Sequence, residues 1–255
     1  MKVEELMGLL SPEARGLLSG EALKDCSGHS CAQVFFDAPA GLYIKTDEAG
    51  ALEEEARLGW LFYQMGLGPE PLRYESGERD ILMSRQARGL PLTKSLKEPE
   101  TLCAMLAESL KKLHALPPAG FPLSSRQKRY RESASGDFGG GYYDESVLTQ
   151  RYLVKDKAEA WRIMQREGGM LEADCLIHGD ACLPNILQQE GHFSAFIDLS
   201  MAGAGDRHID LYWALWSLAY NLKTEAYGDL FLDLYGREKV SEEKLRVVAA
   251  FELFG

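Results

Sequence analysis

What most restricts the fold of this chain is a change in the period of its apolar residues along the sequence. Residues 32–36 (AQVFF), residues 42–46 (LYIKT) and the pieces PLRYES and RDILMS are short β-rich runs, while residues 52–65 among them follow a helical pattern. Runs of that length between turn residues read as strands, so Asp37-Ala38-Pro39-Ala40-Gly41 and Gly77-Glu78 become the turns of two hairpins. Gly66 and Gly68-Pro69 stop the helix. From residue 98 to 114 the spacing is helical (Leu102, Met105, Leu106, Leu110, Leu113), and Pro117-Pro118 ends it.

Strand, strand, helix, strand, strand and then a mainly helical remainder predicts an α+β protein of two lobes. Residues 1–84 form a small N-terminal lobe with an antiparallel sheet plus helix, 85–97 a hinge, and 98–255 a larger, mainly helical C-terminal lobe. Within the latter, residues 146–166 read as helix and 174–177 as a strand. NILQQ and SAFID make a hairpin turning at Glu190-Gly191, and three helical runs follow from Ile209. Trp213, Trp216 and Phe231 sit at helical spacing and read as packing.

Composition narrows the partners. Lys plus Arg total 28 against 39 Asp plus Glu, and a net charge of -11 repels nucleic acid and anionic membranes while attracting a polycation. Cys26, Cys31, Cys103, Cys175 and Cys182 form no C-x-x-C pair, which fits a reducing cytoplasm without a zinc site. With no run of eighteen apolar residues, a cytoplasmic monomer or weak dimer is expected.

Two polar pieces interrupt this pattern at strand ends: HGDACLPN, from His178 to Asn185, and AFIDLS, which contains Asp198. Phosphoryl transfer from a nucleotide needs a carboxylate to take the acceptor's proton, oxygen ligands for a divalent metal, and a cation near the phosphates. Asp180 supplies the first, Asn185 and Asp198 the second, Lys45 the third.

H-G-D-x-x-x-x-N followed by I-D resembles the catalytic loop and metal aspartate of the aminoglycoside phosphotransferases, relatives of the protein kinases. The similarity runs from the Gly28 loop to the ending FELFG and is nearest the aminoglycoside 3'-phosphotransferase group. It implies a two-lobed protein-kinase-like fold with ATP in the cleft and Mg²⁺ on Asn185 and Asp198. Lys45 then resembles the lysine on the α and β phosphates, Glu55 its ion-pair partner, and Ser30 the residue closing over the phosphates. Tyr43 would stack on the adenine, with Met83 behind it as gatekeeper and the backbone of Ser84 and Gln86 bonding its edge. Asp180 would be the base, His178 structural, and Asp210 a brace for the loop.

Departures from the family pattern fall on the acceptor side. Ser200 and Met201 replace a Gly and an Arg, Trp216 another Arg, and Tyr220 and Asn221 acidic residues. At the C-terminus Glu252 and Phe254 are kept as substrate contacts, whereas Phe251 stands for an Asp; Asp144 and Glu145 could supply replacement charge. The resemblance implies an ATP-dependent phosphotransferase acting on a hydroxyl of a cationic small molecule, an aminoglycoside at its 3' position. The alternatives are the same chemistry on another antibiotic or metabolite, and a non-catalytic nucleotide-binding pseudokinase.

Overall fold

The computed structural model of the chain describes residues 2–28, 32–136, 143–152 and 154–254. Contacts divide it into two compact units, Met1–Arg88 with Ser194–Ser200, and Gly89–Phe193 with Met201–Gly255.

The first unit opens with α1 (Val3–Leu9) and α2 (Pro12–Arg15), the latter capped by Ser11, whose Oγ accepts from the Ala14 amide at 3.1 Å. Next come β1 (Lys24–Asp25), β2 (Gln33–Asp37), β3 (Leu42–Glu48), α3 (Glu53–Gln64), β4 (Pro71–Ser76) and β5 (Arg79–Arg85). The strands form one antiparallel sheet in the order β1-β2-β3-β5-β4. Leu42 and Ile44 of β3, with Phe35, Ile81 and Met83, turn one face into a core closed by Leu6, Leu10 and Ala14. Period-two alternation leaves Tyr43 and Lys45 for the other face.

Residues 194–200 pack with this unit because Phe196 is anchored twice. Its amide donates to the Leu67 carbonyl at 2.7 Å, and its ring meets Phe62 edge-on at 6.3 Å. Asp198 follows at φ 59°, a left-handed backbone that non-glycine residues seldom adopt.

The second unit runs through β6 (Leu90–Pro91), α4 (Pro99–His114), α5 (Ser125–Gly136), α6 (Lys157–Glu167), β7 (Cys175–Ile177) and β8 (Ile186–Gln189). β9 (His192–Phe196) carries the chain out of it, and β10 (Gly203–Gly205), α7 (Arg207–Leu222), α8 (Gly228–Tyr235) and α9 (Glu242–Glu252) complete it. β7 pairs antiparallel with β10, Ile177 opposite Gly203, and β6 with β8, Leu90 opposite Gln188. Leu102, Leu106, Leu110 and Leu113 of α4 are buried together with Ile177, Leu183, Ile186 and Ile209.

Two helices differ from the sequence reading. Among the described residues of the predicted helix 146–166, only those of α6 are α-helical, preceded by 3₁₀ turns at Glu145–Val147 and Gln150–Tyr152. Asp156 sets the start: its carboxylate accepts from the Glu159 amide at 2.8 Å, while the Glu159 carboxylate accepts from the Lys155 amide at 2.7 Å. α5 was not expected, since SRQKRYRESASG carries almost no apolar stripe. Its signal is the cap Ser124, whose Oγ accepts from the Gln127 amide at 2.9 Å.

Candidate active site

The first constellation lies within the first unit. Lys45 Nζ sits 2.9 and 2.8 Å from the two Glu55 carboxylate oxygens and 3.0 Å from Asp198 Oδ1. Of three consecutive glutamates at the start of α3, Glu55 is the one turned inward to Lys45, and it is buried. Burial alone would lower the Lys45 pKa, but the charges of Glu55 and Asp198 outweigh it and raise the value, so the ammonium stays charged. Burial pushes the Glu55 carboxyl up, with Lys45 pulling it back. Asp198 keeps 48% of its side chain exposed, against 17% for Lys45.

Tyr43 shares the face of Lys45, and its ring stacks on Phe36 of β2 at 4.5 Å. Met83 does not join them. It lies opposite Ile44 across the β3–β5 ladder, and directly opposed residues point to the same side, so Met83 faces the core under α1. The residue opposite Lys45 is Leu82, so Leu82 and not Met83 shares the Lys45 face of the sheet. The hinge expectation for Gln86 fails for another reason. Its amide donates to the Gly41 carbonyl at 2.8 Å and is already committed, while Ser84 lies opposite Tyr43 within the sheet. Ser30 lies outside the described residues.

The second constellation is the loop after β7. Asp210 is fully buried near the start of α7; its Oδ2 accepts from the His178 amide at 2.8 Å and its Oδ1 from the Gly179 amide at 2.7 Å. His114 Nε2 lies 3.0 Å from the same carboxylate, and His114 Nδ1 2.8 Å from the Tyr235 hydroxyl. Gly179 has φ 81°, and a Cβ there would stand 2.0 Å from the Met201 carbonyl oxygen, so no other residue fits. The Asp180 amide donates to His178 Nδ1 at 3.2 Å. Asn185 Nδ2 donates to the Asp180 carbonyl at 3.1 Å and to its Oδ2 at 3.0 Å. Ser217 of α7 accepts the Leu183 amide at 3.0 Å and pins the far side of the loop.

The residues expected on the substrate are arranged differently. Glu252 is 1% exposed, its carboxylate engaged by the Trp213 Nε1–H at 2.6 Å, the Tyr130 hydroxyl and an ion pair with Arg126. It is therefore a buried packing acid and not one offered to a ligand. Phe254 is buried as well, its ring edge-on to Tyr143 at 5.6 Å. Asp144 caps the 3₁₀ turn by accepting from the Ser146 amide at 2.8 Å, and its own amide donates to the Leu253 carbonyl at 2.9 Å. That places the exposed Glu145 beside the C-terminal turn. Trp216 donates to the Ser146 carbonyl at 3.1 Å and stacks on Tyr220 at 5.0 Å. A pocket of about 210 Å³ in this unit is lined by Thr149, Arg151, Leu215 and Asp229, among others, and contains none of these site residues.

Set beside known proteins, residues 32–248 match the model of the phosphotransferase enzyme family. A probable aminoglycoside 3'-phosphotransferase of Lactococcus lactis is 35% identical over 251 residues, 96% of this chain and 95% of that protein. The streptomycin 3''-kinase of Streptomyces griseus is 31% identical over 217 residues, 80% of this chain and 79% of that one. An aminoglycoside phosphotransferase from Streptomyces rimosus shares the fold at a TM-score of 0.71 and 21% identity, covering both chains fully; it has also been solved with ADP and streptomycin.

Identity over nearly the whole length, together with the fold, defines an enzyme that moves a phosphoryl group onto an alcohol. The chain belongs to the phosphotransferase enzyme family. Among the described residues no helix is long and apolar enough to cross a membrane.

Proposed function

We propose that this chain transfers the γ-phosphoryl group of ATP to a hydroxyl of a cationic small molecule, an aminoglycoside at its 3' position. The observation that carries this is the bond from Asn185 to the Asp180 carboxylate at 3.0 Å. A base that must face one hydroxyl needs a fixed carboxylate, and here the same amide also holds the backbone of the residue it orients. Lys45, kept charged by two carboxylates, is the cation for the α and β phosphates. Tyr43 offers its ring to the adenine, and Leu82, on the same face, takes the place behind the base.

Mg²⁺ is the proposed metal, and the donors suit it. Asp198 presents a half-exposed carboxylate; Asn185 spends its amide nitrogen on Asp180, which leaves its carbonyl oxygen as donor. Among the described residues no group of three or more His, Cys, Asp or Glu could hold an ion alone, so waters and phosphate oxygens would complete the shell. When bound, the metal would neutralise charge on the phosphates.

The Lactococcus lactis and Streptomyces griseus relatives, named for aminoglycoside and streptomycin substrates, support the acceptor class. ATP as donor and the free thiols of Cys26, Cys103, Cys175 and Cys182 support a cytoplasmic setting. The test is ADP release with ATP and Mg²⁺ on kanamycin, which has a 3'-hydroxyl, and tobramycin, which lacks it. Turnover of kanamycin alone is the expected result. No turnover of either, with ATP bound, would overturn the 3' assignment.

A second reading keeps the chemistry and changes the acceptor. The burial of Glu252, with Tyr220 and Asn221 in place of acids, removes carboxylates that would hold ammonium groups and favours a less cationic acceptor. A panel that adds streptomycin and uncharged alcohols to the same assay separates the two.

A further inference from the structure

Asp180 is placed by the peptide that precedes it, and one group holding that peptide comes from α5. The Gly179–Asp180 peptide is gripped at both ends. Its N–H donates to His178 Nδ1 at 3.2 Å, and its carbonyl, on Gly179, accepts from Arg126 Nε at 3.3 Å. The preceding peptide is held separately by Asp210, so the Arg126 bond acts with those from His178 and Asn185 in fixing how the Asp180 backbone leaves the turn, and it alone among them comes from α5.

Arg126 is an unusual residue to find there. It is 8% exposed, and its guanidinium lies over the Trp213 ring at 4.9 Å while Nη1 meets Glu252 Oε2 at 3.1 Å. Two buried charges of this kind repay their desolvation only with good geometry and further hydrogen bonds. Glu252 has those from Trp213 and Tyr130, both on Oε1, while Oε2 has only the ion pair with Arg126; Arg126 has the Gly179 carbonyl. The planar guanidinium can present Nε to one acceptor, Nη1 to another and its face to an indole at once, which an ammonium cannot.

We propose that Arg126 is a positioning residue for Asp180, and that Glu252 acts on the reaction through Arg126 and not by touching the acceptor. This rests on the reading of Asp180 as the base. The C-terminal helix α9 thereby gains a definite role, because its last residue supplies the counter-ion that keeps the arginine against the loop.

Arg126→Lys separates this from a structural tie. The lysine keeps a positive charge for Glu252 but has no second nitrogen for Gly179, so the variant should still fold cooperatively, with a melting temperature lowered by the loss of that buried bond. Its kcat should fall on the order of tenfold to a hundredfold, as a misplaced reacting group implies, with KM for ATP and acceptor changed less than about threefold. Glu252→Gln should also lower kcat and spare the acceptor KM, and the double variant should lose no more than the worse single one. Wild-type kcat in Arg126→Lys, or a raised acceptor KM with unchanged kcat in Glu252→Gln, would overturn the proposal.

Amide hydrogen exchange across residues 178–185 makes the decision independent of the acceptor. If the wild-type enzyme turns over none of the acceptors, the acceptor assignment fails, and exchange alone decides here. Faster exchange of that segment in Arg126→Lys then supports the positioning role, and unchanged exchange removes it.

Discussion

Asp180 and Asn185 stand five residues apart, and the 3₁₀ turn at Leu183–Asn185 folds the second back onto the first. Replacing Asp180 with Ala should lower kcat by about a thousandfold or more, within the range of a lost general base, and leave ATP affinity within about twofold. Calorimetric titration with ATP beside the steady-state assay checks both halves; retained turnover would contradict the assignment. Gly179→Ala meets a backbone oxygen at 2.0 Å and a left-handed φ, so it should destabilise by about 3 kcal/mol or more, read as a fall in urea midpoint. Legibility at this scale follows where the chemistry sits. The roles proposed for Asp180, Asn185, Asp198 and Lys45 run through side chains, and their types and order stand in the sequence. Gln86 was expected to act through its amide, and nothing in its identity reveals that Gly41 takes that amide. Met83 and Leu82 differ by one position, which in a strand means opposite faces, and only the pairing with β3 settles the register. Arg126 was invisible because its partners lie 53 residues away at Gly179 and at Glu252 in the last helix.

Among the elements, α7 carries most of the second constellation: Asp210 near its start, Trp213 and Ser217 further along. Asp206 caps it, accepting from the His208 amide at 3.0 Å, and its carboxylate also meets His208 Nδ1 at 2.6 Å, the Glu172 amide at 2.9 Å and Lys244 Nζ at 2.9 Å. Burial would push this carboxyl up, but bonds from His208 and Glu172 and the nearby imidazole outweigh it and hold the pKa well below the usual range. A lowered carboxylate pKa contributes stability that is complete above the unfolded value of about 3.9 and is lost as pH falls through the folded one. Asp206→Asn should therefore lower stability at neutral pH by about 3 kcal/mol and flatten the loss below about pH 4. Urea denaturation from neutral pH into acid measures both, and an unchanged acid slope would exclude Asp206 as its source. Strands β2 to β5 and α3 were readable because turn residues bracket them, whereas β1, β6 and β10, two or three residues long, carry no periodic signal. α5 was not, since its polar sequence hides a helix whose buried members, Arg126, Gln127 and Tyr130, are largely held by polar contacts.

At the scale of the whole molecule the dominant physical fact is a charge of -11. Few buried contacts depend on it, but the approach of a charged acceptor does, because the summed field extends about a Debye length, roughly 10 Å at 0.1 M salt. A polycationic acceptor should therefore show a KM that rises about fivefold when KCl goes from roughly 20 to 300 mM, with kcat nearly constant, since added salt screens attraction without touching the Asp180–Asn185 pair. The same titration discriminates between the two acceptor readings. An uncharged alcohol has nothing to screen, so its KM should stay flat over that range. Among the described residues expected on the acceptor, Glu252 is buried and Tyr220 is 59% exposed where a carboxylate was expected, so the attraction proposed here rests mainly on the global field. Should the KM of kanamycin prove independent of salt, attraction would have to come from close carboxylates such as Glu145, and Glu145→Gln would then raise that KM.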